Sequence, residues 1–210
     1  MKKETIQYIF IIFVAVLLVL GLIGIGFYFW QAHVSWQTLK NDPAKSKFAN
    51  KIDTLEKKSS KTSDDYLQIG NDYYSLGLNS EAIDAYQKAV DAGSYDVGGL
   101  NLANAYIADK EYKNAETEFK KLIDKNLGSV DLYLKFADLY KNDWQGKSND
   151  TLGILKEAEG KYPNDYNLLV NLAEYYLSAG NKNQALEYYN KALKLDPNNE
   201  VLKKEMEMVK

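Results

Sequence analysis

Apolar and polar positions divide this chain into three stretches with different periods. Residues 6–30, IQYIFIIFVAVLLVLGLIGIGFYFW, run without a charge. At ~1.5 Å rise per residue such a helix is about 37 Å long. It crosses a hydrocarbon core of about 30 Å with tilt or interfacial overhang. Tyr8 stands near one end, and Tyr28, Trp30 and Trp36 cluster at the other, the placement of an interfacial aromatic belt. A cleaved leader has a shorter apolar stretch followed by small residues. Here FYFW fills that place, so the reading is a retained single-pass membrane helix. Residues 31–62 are polar and Lys-rich. Within them Phe48, Ile52 and Leu55 fall at i, i+4 and i+7, which predicts a short amphipathic helix over 44–58, starting near Pro43. From residue 63 onward, apolar positions recur at helical spacing in paired segments. Gly-rich or polar turns such as LGLNS and SAGNKN join them. Helix starts are expected at Ser63, before Asp64 and Asp65, and at Ser80, before Glu81.

The pairs repeat. Tyr73, Tyr106, Tyr140 and Tyr176 sit 33, 34 and 36 residues apart. Small residues follow at Ala82, Ala115 and Ala185, with Thr151 in the divergent copy. Large ones come next at Tyr86, Phe119, Leu155 and Tyr189, then Ala89, Leu122, Ala158 and Ala192. A sustained period near 34 means one helical hairpin stacked repeatedly. The small column lets the two helices of a hairpin approach closely, and the rings fill the gaps between copies. The copies are read as 63–95, 96–129, 130–165 and 166–199, with a cap helix over 200–210 and a short tail at 1–5. Copy two opens with Gly98 and Gly99, which predicts a weak helix start. Copy three carries about two extra residues in KNDWQGKSND, which lengthens the turn. Trp144 there either packs locally or stands exposed for a partner.

These columns resemble the tetratricopeptide repeat family over residues 63–199. Copy four carries its pattern at Leu169, Leu172-Ala173, Tyr176, Ala185, Tyr189, Ala192 and Pro197. Copy one carries it at Tyr66, Ile69-Gly70, Tyr73, Ala82, Tyr86 and Ala89, with Ser94 where Pro is usual. The resemblance implies an all-α fold. It is a right-handed superhelical solenoid of about four hairpins plus a C-terminal cap helix, preceded here by the transmembrane helix. It also implies a protein-binding scaffold whose first helices line a concave groove. Anchor, basic connector and repeats together are similar in layout to bacterial inner-membrane assembly factors, including ancillary subunits of the protein-export channel.

With Tyr66, Ile69, Gly70 and Tyr73 facing the core, the alternative spacing points into the groove. That gives an apolar row, Leu67, Leu100, Leu134 and Val170. A second row is Asn71, Asn104, Asp138 and Glu174, and a third is Tyr74, Ile107, Lys141 and Leu177. Asn beside an apolar row suits an extended peptide or a helix, and Asp138 and Glu174 favour a Lys-bearing segment. The competing reading is that the apolar row packs on the cap helix or on neighbouring copies. One subtype of the family clamps a terminal carboxylate with Lys and Asn. Asn71, Asn101 and Lys135 match three of its five positions, but Leu67 and Asp131 stand where it has Lys.

Charge narrows the partners. Residues 63–210 carry 17 Lys and 25 acidic residues, net −8, which disfavours a phosphate backbone and hence nucleic acid. Residues 31–62 carry seven Lys and three acids, net +4. This segment lies against anionic lipid, or it is a solvated stalk or a helix covering the first repeat. There is no Cys, and His33 is the one His, so thiol chemistry, disulfides and a multi-His metal site are excluded within one chain. No nucleophile–base pair or glycine loop at a strand–helix junction is present, so no catalytic residue, metal site or cofactor is expected. The expected partner is another protein, with homo-oligomers as an alternative and a regulatory subunit of a cytoplasmic complex as a third. The Lys counts flanking 6–30 tie, but Lys2 and Lys3 abut the helix while residues 31–39 carry no charge. That favours the repeats outside the cytoplasm, on a cell inner membrane.

Overall fold

The computed structural model describes residues 35–127 and 129–209. The expected membrane helix over 6–30, and His33, lie outside the described residues. Among the described residues no helix is long and apolar enough to cross a membrane.

Two compact units divide between Ser59 and Ser60. In the first, helix α1, Ser46–Glu56, buries Ala49, Ile52 and Leu55. The connector helix is therefore shorter than 44–58, and its apolar stripe runs through Ala49 rather than the half-buried Phe48. The Trp36 indole donates to Asp53 at 3.1 Å, and Lys40 pairs with the same carboxylate.

The second unit is helical throughout, with no strand among its described residues. Its hairpins are α2 (Ser63–Ser75) with α3 (Asn79–Asp91), and α4 (Val97–Ala108) with α5 (Tyr112–Asp124). Next come α6 (Val130–Asp138) with α7 (Thr151–Lys161), then α8 (Tyr166–Ser178) with α9 (Lys182–Leu195), and α10 (Glu200–Val209) follows. The start of α2 is a reciprocal capping box one residue earlier than expected. Thr62 Oγ1 accepts from the Asp65 amide, and the Asp65 carboxylate accepts from the Thr62 amide. Ser80 is not a cap, because α3 already begins at Asn79 with no side-chain cap. The cap position in the turn before it is Leu78, whose side chain carries no acceptor.

That turn is shared. Gly77, at φ +75°, donates to Tyr74 O, and Leu78 donates to Tyr73 O at 3.0 Å. These are the paired bonds of a Schellman motif. Glu111 donates to Tyr106 O, and Asn181 to Tyr176 O, in the same way. Three of the recurring tyrosines thus supply the carbonyl that closes each hairpin turn. Copy three breaks the rule. After α6 the chain continues as a π-helix, Leu139–Asp143, and a 3₁₀ turn, Ser148–Asp150. The extra residues are absorbed there, and Trp144 packs locally against Tyr112 and Tyr140, with ring centroids 6.2 and 6.1 Å apart.

Apolar burial forms a series of cores between successive hairpins. Ala82, Tyr86, Leu102 and Ala105 make one, and Ala115, Phe119, Leu132, Phe136 and Tyr140 another. A third joins Leu155, Leu168, Leu172, Ala185, Tyr189 and the cap residues Leu202 and Met206. Serial cores of this kind are what a solenoid-like fold buries. Each fully buried Leu contributes roughly 1.5–3 kcal/mol. The weak start expected at Gly98 and Gly99 is offset by packing. A Cβ on Gly99 would lie 2.8 Å from Leu122 Cδ2, and the Asp96 carboxylate accepts from the Val97 amide. Copy two gives up helix propensity for a close approach of α4 to α5.

Candidate functional site

First helices of successive hairpins present one open depression of about 500 Å³. From α2 come Asn71 and Tyr74, and from α4 come Asn101, Asn104, Ile107 and Ala108. Lys135 and Asp138 come from α6, and Asp143 from the π-helix. Asn101, Asn104 and Ala108 fall at i, i+3 and i+7, so one stripe of α4 forms its floor. Five residues of the sequence-derived rows meet here: Asn71, Tyr74, Asn104, Ile107 and Asp138.

The other seven sit elsewhere. Leu67, Leu100, Leu134 and Val170 are half-buried and packed against the three cores, so the apolar row is largely spent on stacking the hairpins. Leu177 likewise packs on the third core. Glu174 lies outside the depression, with Lys141 Nζ 3.7 Å from its carboxylate. The acidic contribution of the depression comes instead from Asp138 and Asp143.

Tyr86 is the residue that the helix-face argument missed. It belongs to α3, the second helix of its hairpin, and is 3 % exposed. Its ring passes α2 at Gly70, where a Cβ would stand 2.6 Å from Tyr86 Cδ1 and Cε1. Its hydroxyl then donates to Asn71 Oδ1 at 2.8 Å, and Asn101 Nδ2 donates to the same oxygen at 3.2 Å. The sequence signal was the pairing of Gly70 with Tyr86, since the corresponding position in the other copies is Ala103, Ala137 or Ala173. Burial pushes the Tyr86 phenol well above its ordinary range, helped by neighbouring Tyr74 and Asp72. The hydroxyl therefore stays a donor, and it fixes the Asn71 amide with Nδ2 as its remaining polar group.

Asp143 was missed for another reason. A π-helical turn carries an extra residue, which re-aims the side chains after it. No 3.6-residue count from Tyr140 places Asp143 beside Asp138.

The chemistry of the depression is mixed. Among the described residues the side chain of Asn104 has no hydrogen-bond partner, and Lys135, Asp138 and Asp143 have no ion-pair partner within 4.0 Å. Asn71, Asn101 and Lys135 do come together, but with two carboxylates and without cations at positions 67 and 131. That set repels a terminal carboxylate. Among the described residues no cluster of His, Asp and Glu is disposed to hold a metal ion.

Residues 67–129 and 166–199 match tetratricopeptide repeat family models. The matched segments flank the hairpin that holds the π-helix. The uncharacterized protein ycf37 of Cyanophora paradoxa is 30% identical over 111 residues, which is 52% of this chain. The chain spans 64% of that relative, less than two thirds of its length. A crystal structure of MamA superposes with TM-score 0.57 at 20% identity, covering 70% of this chain and 85% of MamA. A thermophilic TPR protein of Thermus thermophilus superposes with TM-score 0.54 at 21% identity, covering 75% of this chain and 88% of its own. The family models thus place tetratricopeptide repeats in these two segments, and the superpositions, at 20 and 21% identity, show a shared fold.

Proposed function

We propose that this chain is a membrane-anchored scaffold whose repeats hold an extended segment or helix of another protein in the depression between α2, α4 and α6. The observation that carries this reading is the convergence of Asn71, Tyr74, Asn104, Ile107 and Asp138 from three successive first helices on one open hollow. Asn amides there can bond a peptide backbone while Tyr74, 41 % exposed, and Ile107 offer apolar contact. The anchor is residues 6–30, which carry no charge and are flanked by aromatic residues. The repeats stand outside the cytoplasm on a single-pass inner-membrane protein that serves envelope-complex assembly or protein export. The work is binding rather than catalysis.

The test is crosslinking in intact membranes from a photoprobe at Asn104, with the product identified by mass spectrometry. Transfer to one protein is the expected result. Labelling of lipid alone, or of nothing, sinks the reading. A reporter fused after Lys210 that is active only outside the cytoplasm tests the orientation.

A second reading, self-association, has its own observation. On α10, Val201 is 68 % and Met208 77 % exposed, and Lys204 and Glu205 lie between them. Along the helix this stripe reads apolar, basic, acidic, apolar. An antiparallel two-fold pair would set Val201 against Met208 and Lys204 against Glu205. Light scattering of the detergent-solubilised chain distinguishes the two: a monomer leaves only the first.

A further inference from the structure

The proposal that the depression holds a protein segment leaves open which segment it prefers, and the charges around it answer that. Most lysines in the neighbouring surface are satisfied within the chain: Lys120 pairs with Glu116, Lys121 with Glu118, Lys141 with Glu174 and Lys147 with Asp150. In the depression the pattern inverts. Lys135 and Asp138 stand one turn apart on α6, the spacing at which pairs form. Among the described residues, however, Lys135, Asp138 and Asp143 make no ion pair. The hollow therefore holds two carboxylates and one ammonium, a net −1, on a repeat region of net −8.

We infer that the depression selects an extended segment bearing a Lys or Arg side chain, which seats against Asp138 and Asp143 while the segment's backbone bonds Asn104 and the Nδ2 of Asn71. Local and overall fields agree in sign, so a basic side chain is steered inward and an acidic one or a free chain end is repelled. The flanking Lys135 limits the number of basic residues that fit. A second cation next to the first meets it rather than a carboxylate, so one basic residue beside neutral or apolar ones is preferred over a polybasic run. Tyr74, at the α2 wall, can stack on a guanidinium, which favours Arg over Lys.

This inference rests on the depression being the binding site, and the experiment separates the two. The probes are nine-residue peptides, acetylated and amidated, sharing one Ala/Gln/Leu frame and carrying Arg, Lys, Gln or Glu at the centre. A further peptide has the Gln centre and a free C-terminal carboxylate. Binding to the full chain in detergent is measured by calorimetry at low salt and at 0.5 M NaCl. The Arg and Lys peptides should bind at least tenfold more tightly than the Gln peptide, and the Glu and free-carboxylate peptides more weakly still. Salt should erase most of the difference. The double variant Asp138→Asn/Asp143→Asn should bind Lys and Gln peptides alike, Lys135→Gln should tighten the Lys peptide, and Asn104→Ala should weaken every peptide. If the Gln or Glu peptide binds as tightly as Lys, with binding still weakened by Asn104→Ala, the charge selection is wrong and the binding site stands. If Asn104→Ala changes no affinity, or nothing binds, the site itself is wrong and the inference falls with it. Circular dichroism of each variant excludes unfolding as the cause of lost binding.

Discussion

The phenol of Tyr140 donates to the Glu116 carboxylate at 2.6 Å, tying the divergent third hairpin to the second helix of the one before it. Lys120 donates to the same carboxylate oxygen, also at 2.6 Å. Burial alone would raise the Glu116 pKa, but these two hydrogen bonds outweigh it, and Lys120 and Lys147 add favourable charge, so the carboxyl is held below the ordinary glutamate range. A carboxyl group lowered in this way contributes stability that is present above its unfolded pKa and lost as pH falls through the folded one. Glu116→Gln should therefore lower stability at neutral pH and flatten its decline between about pH 5 and pH 3. Urea midpoints of both proteins at pH 7 and pH 3.5 check this. A gap between them that stays constant with pH would mean that the carboxylate charge contributes nothing.

Ala185 is fully buried in the core between the last hairpin and its neighbours. Ala185→Leu adds three carbons where α9 meets α8 and should cost ~1–3 kcal/mol by overpacking. A melting midpoint equal to the parent's would show that the helices are not closely apposed at this column.

Gly70 and Gly99 both sit where a Cβ would be crowded, but the obstacles differ. At Gly70 the obstacle is the Tyr86 ring, 2.6 Å away and fixed by its hydrogen bond to Asn71. At Gly99 the nearest atom is the methyl end of Leu122, 2.8 Å away, which can rotate aside. Gly70→Ala should therefore cost more, ~1–3 kcal/mol, because it displaces the ring and leaves a buried hydroxyl unpaired. Gly99→Ala should be milder, since the gain in helix propensity of about 1 kcal/mol offsets part of the strain. Denaturant titrations of the two variants give the order directly. The reverse order would mean that Tyr86 is not what fills the α2–α3 gap. The loss of the Tyr86–Asn71 bond should also weaken peptide binding in Gly70→Ala alone.

These positions show where sequence reasoning carried and where it stopped. The columns at Ala82, Ala115 and Ala185 were legible because a small residue at a helix crossing is dictated by distance, and distance repeats with the hairpin. The hairpin turns were legible only in part. Gly77 and Gly180 announce a left-handed residue, but Lys110 occupies the same place without any signal in its chemistry. Asn71, Asn104 and Asp138 were placed on one face by helical counting. The apolar row beginning at Leu67 obeyed the same count yet went into the cores, because counting fixes a direction and not the distance to the next hairpin. Tyr86 and Asp143 needed three-dimensional facts, a missing Cβ on α2 and a π-helical turn after α6.

Lys110 offers the last test. It occupies the left-handed position of the α4–α5 turn at φ +63°, donating to Ile107 O while Glu111 donates to Tyr106 O. The corresponding residues in the first and fourth hairpins are Gly77 at φ +75° and Gly180 at φ +77°. A side chain in this region costs roughly 1–2 kcal/mol from contact between Cβ and the carbonyl. Glycine removes that cost but gains unfolded-state freedom, which returns part of it. Lys110 is exposed and makes no ion pair among the described residues, so nothing else is lost on substitution. Lys110→Gly should therefore stabilise the chain by about 1 kcal/mol, raising the melting midpoint by a few degrees. Lys110→Val should destabilise it, since branching at Cβ worsens the same contact. The pair isolates backbone conformation from charge, because both variants remove the ammonium. Equal midpoints for the two would place the residue outside the left-handed region and undo the shared turn.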